Sequence, residues 1–270
     1  MTETIIKKEK SQRDARIAIM CCDDPHHFYL INQLKQHFNI AGIVLEPNRN
    51  QMAWLWKKKR YQLWLYRRYH SWRRRIIGHS KHRKAFFPVE FNIKELDIPV
   101  QEVFNINDKA SAHFLNKIEP DITIVCGTMY VGRRARKAGN VIINLHGGVL
   151  PDYKGNQCIF FALYEKNYDK IGATIHLVSE QLDGGSIIEI IRPEIESKDN
   201  DETLYAKSLK LCVDALVQLL QKYDQGYSII AKVQEPSNKK TYSHRHRTPL
   251  VEIRHYLNRF FHPMKTRKLS

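Results

Sequence analysis

Arg16-Ile17-Ala18-Ile19-Met20-Cys21-Cys22-Asp23-Asp24-Pro25, followed by Ile40-Ala41-Gly42-Ile43-Val44-Leu45, decides the fold. Ile17–Cys22 is an unbroken apolar run, as a strand covered on both faces of a parallel sheet must be. Asp24 suits a helix cap, and Pro25 suits the first helical position, where its missing N–H costs nothing. The apolar positions Phe28, Leu30, Ile31, Leu34 and Phe38 carry that helix to about Phe38. Ile40–Leu45 then reads as a second strand. Strand, helix and strand in quick succession demand a right-handed crossover in a parallel sheet.

Outward from this unit the alternation continues after a break. It predicts a strand near Val100–Val103 and a helix over Ala110–Ile118 capped by Asn107 or Asp108. Strands follow at Ile122–Cys126 and Val141–Leu145, then a helix near Cys158–Lys166 and strands at Ala173–Val178 and Ile187–Ile191. Asp201-Glu202 open a long helix to about Tyr223, with acidic residues at its start and Lys222 near its end, as the helix dipole favours. The fold class is therefore α/β: a Rossmann-like, mostly parallel sheet with helices on both faces and a basic, Trp-rich insertion. The expected organisation is a flexible tail over 1–14, a catalytic domain over 15–230 with the insertion at about 48–90, and a basic, weakly patterned extension over 231–270.

With 270 residues and 43% hydrophobic content, the chain can bury a sizeable core. It contains no apolar run long enough to span a bilayer and no signal-peptide pattern. Its five cysteines make no CxxC and no zinc spacing, which fits free thiols in a reducing cytoplasm and no metal site. His26-His27 beside Asp23-Asp24 reads as a capped helix start rather than a metal pair. His176, among apolar strand residues, reads as structural; His244 and His246 read as solvated. The net charge of +16 is local: Gln51–Val89 holds twelve Lys/Arg, no acidic residue and all four tryptophans. Outside it, basic and acidic residues nearly balance, 32 against 28.

Chemistry concentrates at 144–183. Asn144-Leu145-His146 ends a strand, and alternation puts Asn144 and His146 on one side, at the carboxyl edge where open α/β sheets bind ligands. Gly147-Gly148 and Pro151 allow a tight loop that approaches a ligand closely. Asp183-Gly184-Gly185 sits on a turn between strands, where the glycines clear space for a carboxylate to point back. Alone, a strand-end Asn-x-His is usually structural and an Asp-Gly-Gly is usually a turn; their ordered joint occurrence is what carries meaning.

On these motifs, with Leu150-Pro151-x-Tyr153-x-Gly155 and Gly172–Val178, residues from about Pro120 to Tyr223 resemble the catalytic domain of the folate-dependent formyltransferases. That family includes the glycinamide ribonucleotide, methionyl-tRNA and sugar-nucleotide formyltransferases. The resemblance places the catalytic Asn, His and Asp on Asn144, His146 and Asp183. It implies 10-formyltetrahydrofolate as formyl donor. The pterin is expected against Cys126–Val131, with Met129, Tyr130 and Val131 in contact, and against Ser179–Leu182, with Glu180, Gln181 and Leu182 in contact. The residue types suit the reaction: an amide and an imidazolium stabilise the oxyanion, while a carboxylate supports the imidazolium and helps move a proton.

The acceptor is less legible. The turn Cys21–His27 has no glycine and two carboxylates, which would repel the phosphate of glycinamide ribonucleotide. The 47 residues after Tyr223 are too few for the tRNA-binding barrel of methionyl-tRNA formyltransferases. Glycine after the catalytic His resembles the sugar-nucleotide enzymes. A nucleotide-linked amino sugar or lipid-linked amine is therefore expected, in a cytoplasmic protein whose residues 51–89 touch an anionic membrane surface. The alternatives are a 10-formyltetrahydrofolate hydrolase and an inactive formyltransferase fold that binds RNA.

Overall fold

The computed structural model describes residues 3–8, 14–88, 92–235, 240–261 and 264–267. In chain order, β1 (Glu3–Ile6), β2 (Ile17–Cys21), α1 (Pro25–His37) and β3 (Ile40–Leu45) come first. The basic segment then forms α2 (Asn48–Lys57), α3 (Tyr61–Ile76) and α4 (His79–Phe86). Next are β4 (Val100–Glu102), α5 (Lys109–Ile118), β5 (Ile122–Cys126), α6 (Arg133–Ala138), β6 (Val141–His146) and β7 (Lys154–Gly155). The chain continues with α7 (Cys158–Tyr164), β8 (Ala173–Leu177), β9 (Ile187–Ile191) and α8 (Asp201–Asp224). It ends with β10 (Ile229–Lys232), β11 (Thr241–Tyr242) and α9 (Pro249–Phe261).

Among the described residues, nine strands form one sheet in the order β1-β10-β9-β8-β6-β5-β2-β3-β4. The run from β6 to β4 is parallel, and β8, β9, β10 and β1 continue it with antiparallel pairings. β2 lies in the parallel part and is fully buried, as its apolar run demands. Its Ile17, Ile19 and Cys21 pack with Leu30, Ile31 and Leu34 of α1 and Leu209, Val213 and Leu216 of α8. Ala18 and Met20 face the other way, onto Leu115 and Ile118 of α5 and Ala135 of α6. Each such aliphatic side chain contributes about 1.5–3 kcal/mol relative to exposure. Helices thus cover both faces.

Two expectations about the ends need correction. Residues 1–14 are not simply a flexible tail: Glu3–Ile6 pair antiparallel with Ile229–Lys232 and extend the sheet edge. A four-residue strand gives too short an alternation to stand out in sequence. The C-terminal stretch is not an unpatterned extension either. Arg247 is buried, with Nη1 donating to Asp201 Oδ2 at 2.6 Å and Nε to Glu252 Oε1 at 2.6 Å. Its guanidinium lies 3.7 Å from the Phe160 ring centre. Tyr242 stacks on Phe161 at 4.3 Å. The docking rests on an arginine and stacked rings, while the apolar residues spaced along α9, Leu250, Ile253, Leu257 and Phe260, face outward.

In α3 the usual arrangement of faces is inverted. His70 and Arg73 are buried, while Leu65, Trp72 and Ile76 are more than half exposed. Lys58–Arg60 form the break between α2 and α3, with Lys59 at φ 55°.

Candidate active site

The carboxyl ends of β2, β3, β5 and β6 open onto one edge of the sheet, and the side chains singled out in sequence gather there. His146 ends β6, and its Nδ1 lies 3.6 Å from Asp183 Oδ2. That separation suits charge support or one bridging water rather than a direct hydrogen bond. His146 Nε2 pairs with the Tyr153 carbonyl at 2.8 Å, so that nitrogen carries a proton. The ring is thus set between a carbonyl on Nε2 and a carboxylate facing Nδ1.

Asp183 sits in the left-handed region at φ 50°. Gln234 Nε2 holds the turn by donating to the Asp183 carbonyl at 2.9 Å and the Gly185 carbonyl at 2.6 Å. Gly155 N–H donates to Asp183 Oδ2 at 2.7 Å. Gly185 must be glycine, because a Cβ there would fall 1.8 Å from the Leu177 carbonyl oxygen.

His176 was read as a satisfied strand histidine. It is satisfied, but it belongs to the site. Its Nδ1 lies 2.8 Å from the Leu177 carbonyl and must donate to it, which leaves Nε2 as the acceptor of a 3.0 Å bond from Asn144 Nδ2. Burial, reinforced by His146, pushes the His176 imidazole down to about 4, so it is neutral at pH 7. The Asn144 amide is thereby fixed with one N–H on His176 and a second N–H to offer. The antiparallel register that pairs Asn144 with His176 brings this about, and β8 cannot be registered against β6 from sequence alone.

The two stretches expected to receive the pterin also meet. Tyr130 Oη donates to the Glu180 carbonyl at 2.6 Å, and Arg136 joins Tyr130 Oη at 2.9 Å to Glu180 Oε1 at 3.1 Å. Tyr130 and Leu182 are exposed at the rim with Glu180 and Gln181; Val131 is buried and Met129 partly so.

Sequence reasoning missed the residue that sets this loop. Glu46, fully buried after β3, takes Met129 N–H at 2.7 Å and Gln51 Nε2 at 3.1 Å on one oxygen. Its other oxygen takes Ile106 N–H at 2.8 Å and Asn105 Nδ2 at 3.0 Å. Burial raises its pKa and these donors oppose the rise. The available signal was a lone acid between Leu45 and Pro47 at a strand end. Glu46→Gln replaces one acceptor with a donor facing an N–H. It is expected to cost about 1–3 kcal/mol in urea unfolding; an unchanged midpoint removes this role.

The turn Cys22–His27 forms the remaining wall. Asp24 precedes α1 as expected, and its N–H donates to His27 Nδ1 at 3.2 Å. Cys22, Asp24 and His27 place possible metal-ligand atoms within 4.8 Å of one another. Cys22 Sγ donates to Asp23 and His27 Nδ1 accepts from Asp24 N–H, while His27 Nε2 is buried with no hydrogen-bond partner among the described residues. His26 Nε2 meets Tyr205 Oη at 3.2 Å, and Tyr205 packs where a side chain on Gly147 would stand. His244, read as solvated, pairs with Gln157 Nε2 at 3.3 Å, and its carbonyl pairs with His70 Nε2 at 3.0 Å. A separate depression of about 520 Å³ among Leu115, Pro120, Lys137 and Asn140 lies at the amino ends of β5 and β6. That is the wrong edge for an open α/β site.

The chain belongs to the formyl transferase family, whose model matches residues 74–220, more than half of its length. It is 32% identical over 141 residues to a methionyl-tRNA formyltransferase of Leptospira interrogans, covering 51% of this chain and 44% of that one. It is 33% identical over 129 residues to formyltetrahydrofolate deformylase 2, mitochondrial, of Arabidopsis thaliana, covering 42% and 39%. The matches span about half the length of these curated relatives or less. The fold is shared with a 4-N formyltransferase from Francisella tularensis, with TM-score 0.54 and 16% identity over 90% of this chain and 86% of that one. It is shared likewise with glycinamide ribonucleotide transformylase 1 from Symbiobacterium toebii, with TM-score 0.55 and 16% identity over 83% and 96%.

Proposed function

We propose that this protein transfers a formyl group from 10-formyltetrahydrofolate to the primary amine of an anionic acceptor, a nucleotide-linked amino sugar or a lipid-linked amine. The observation that carries the reading is the set Asn144–His176–Asp183–His146, closed at the carboxyl edge beside the Met129–Val131 and Glu180–Leu182 loops. The donor supplies an activated formyl carbon. Asn144 offers its second N–H to the developing oxyanion. His146, in its protonated form, adds positive charge there and delivers a proton to the departing nitrogen after releasing Tyr153. Asp183 takes up the proton lost by the attacking amine, through water. A missing oxyanion donor costs about 10²–10³ in kcat.

A second reading, hydrolysis of the donor to formate, is favoured by the likeness to the deformylase. The discriminating experiment incubates the protein with 10-formyltetrahydrofolate, with and without amino-sugar nucleotides. Formyl transfer that requires the amine supports the proposal. Formate release at the same rate without amine selects the hydrolase, and absence of donor binding removes both in favour of an inactive, RNA-binding fold.

We also infer that the outward side chains Trp56, Leu65, Trp72 and Ile76, set among Lys and Arg, contact an anionic membrane surface. No helix among the described residues is long and apolar enough to cross a membrane.

A further inference from the structure

The inward face of α3 crosses the same carboxyl edge. Arg67 Nη2 donates to Gln51 Oε1 at 2.6 Å and Asn48 Oδ1 at 3.4 Å, and Nη1 approaches Met129 Sδ at 3.7 Å. The guanidinium therefore sits over the ends of β3 and β5, in contact with amides and a thioether but no carboxylate. Two turns along, Arg74 is half-buried and makes no hydrogen bond or ion pair among the described residues. Its charge acts on Asp24, Arg83 and Glu202. Arg83 is already paired with Glu202 and lies 5.0 Å from the Tyr205 ring, which abuts Gly147 beside His146. Burial lowers the pKa of both Arg67 and Arg74, so each guanidinium is held partly out of water without a counter-ion in contact.

Holding a cation out of water without an anionic partner is costly, and the fold keeps two here. They sit on one helix face about 10 Å apart along its axis. Buried His26 and half-buried His244, whose pKa values are driven down by burial and then by these arginines among other neighbours, stand around them as neutral groups. Asp24, which acts on both arginines, makes no ion pair with either among the described residues, so the face keeps an excess of positive charge. Guanidinium forks match phosphate oxygens better than they match a lone hydroxyl or amine. The Asp23-Asp24 turn, where a phosphate would be repelled, is thus faced by a helix that attracts one.

We infer that Arg67 and Arg74 form the subsite that takes the phosphate or diphosphate of the acceptor, with the amine directed at His146. This rests on the amine-formylating reading above. The test is calorimetric titration of the full chain with inorganic pyrophosphate. Binding by the parent is expected, weakened at least about ten-fold in Arg74→Gln. It should change by less than about two-fold in Arg75→Gln, an exposed arginine of the same helix. Arg67→Lys is the second variant, because full removal of Arg67 also frees Gln51; a loss of affinity with an unchanged unfolding midpoint is expected. Phosphatidylglycerol vesicles form the other arm, and parent and Arg74→Gln should sediment with them equally, because Arg74 faces inward. Equal pyrophosphate affinity in parent and Arg74→Gln, or vesicle binding lost in Arg74→Gln without pyrophosphate binding in the parent, overturns the subsite. Donor binding in the same samples separates the two ideas. If it persists while Arg74 proves irrelevant, only the subsite falls. If the donor is not bound, the assignment to an acceptor falls with the proposed function.

Discussion

On the proposed function, Asp183→Asn is expected to lower kcat for formyl transfer by about 10²–10⁴-fold while leaving the KM for the donor nearly unchanged. Asparagine has the same shape and can still accept from Gly155 N–H, which holds Asp183 Oδ2 at 2.7 Å. What it lacks is charge. His146 Nδ1 at 3.6 Å and His176 Nε2 at 3.8 Å then face a neutral amide. His146 Nδ1 loses the carboxylate it faces, and the proton released by the amine loses its acceptor. Donor affinity should hold, because the Met129–Val131 loop is fixed by Glu46 rather than by Asp183. Single-turnover measurement separates the two steps. An Asp183→Asn protein within about three-fold of the parent would remove acid–base work from the site.

The second large effect is acid lability above the carboxylate range. Burial pushes His27, His70, His176 and His255 down to about 4, and holds His26 and His244 well below their ordinary value. In the folded chain these rings stay neutral while the unfolded chain takes up protons below about 6.5. Stability is therefore fully present above that pH and drains away as pH falls from about 6.5 to about 4. Each group of this kind is worth at most about 3 kcal/mol, so a few suffice to exhaust a typical 5–15 kcal/mol. Urea midpoints at pH 7.5, 6 and 5 should fall steeply and reversibly. A profile flat from pH 7 to 5 contradicts the burial of these imidazoles.

The parallel half of the sheet was legible because its strands are continuous apolar runs and its helices carry caps and a 3.6-residue period. Asn144, His146 and Asp183 were legible because their residue types and order are rare together. The rest depends on register and long-range pairing. His176 became part of the site only when β8 paired antiparallel with β6. Glu46 gained its role from donors at Ile106 and Met129, 60 and 83 positions away. The docking of Arg247 between Asp201 and Glu252 reads in sequence only as one more basic residue. Composition showed that the basic segment was unusual but not which way α3 turns its arginines, since polar-inward packing leaves the same hydrophobic period as polar-outward packing.

Glu46 has one more consequence. Its Oε2 holds both Met129 N–H, on the donor side, and Gln51 Nε2, whose own oxygen holds Arg67. The loop proposed for the donor and the arginine proposed for the acceptor anion therefore lie at opposite ends of one short hydrogen-bonded chain. Whatever factor an acceptor anion applies to donor affinity by drawing on Arg67, the donor must apply to the anion by the same factor. On the proposed assignments, one buried carboxylate thus couples the two affinities without setting which substrate binds first.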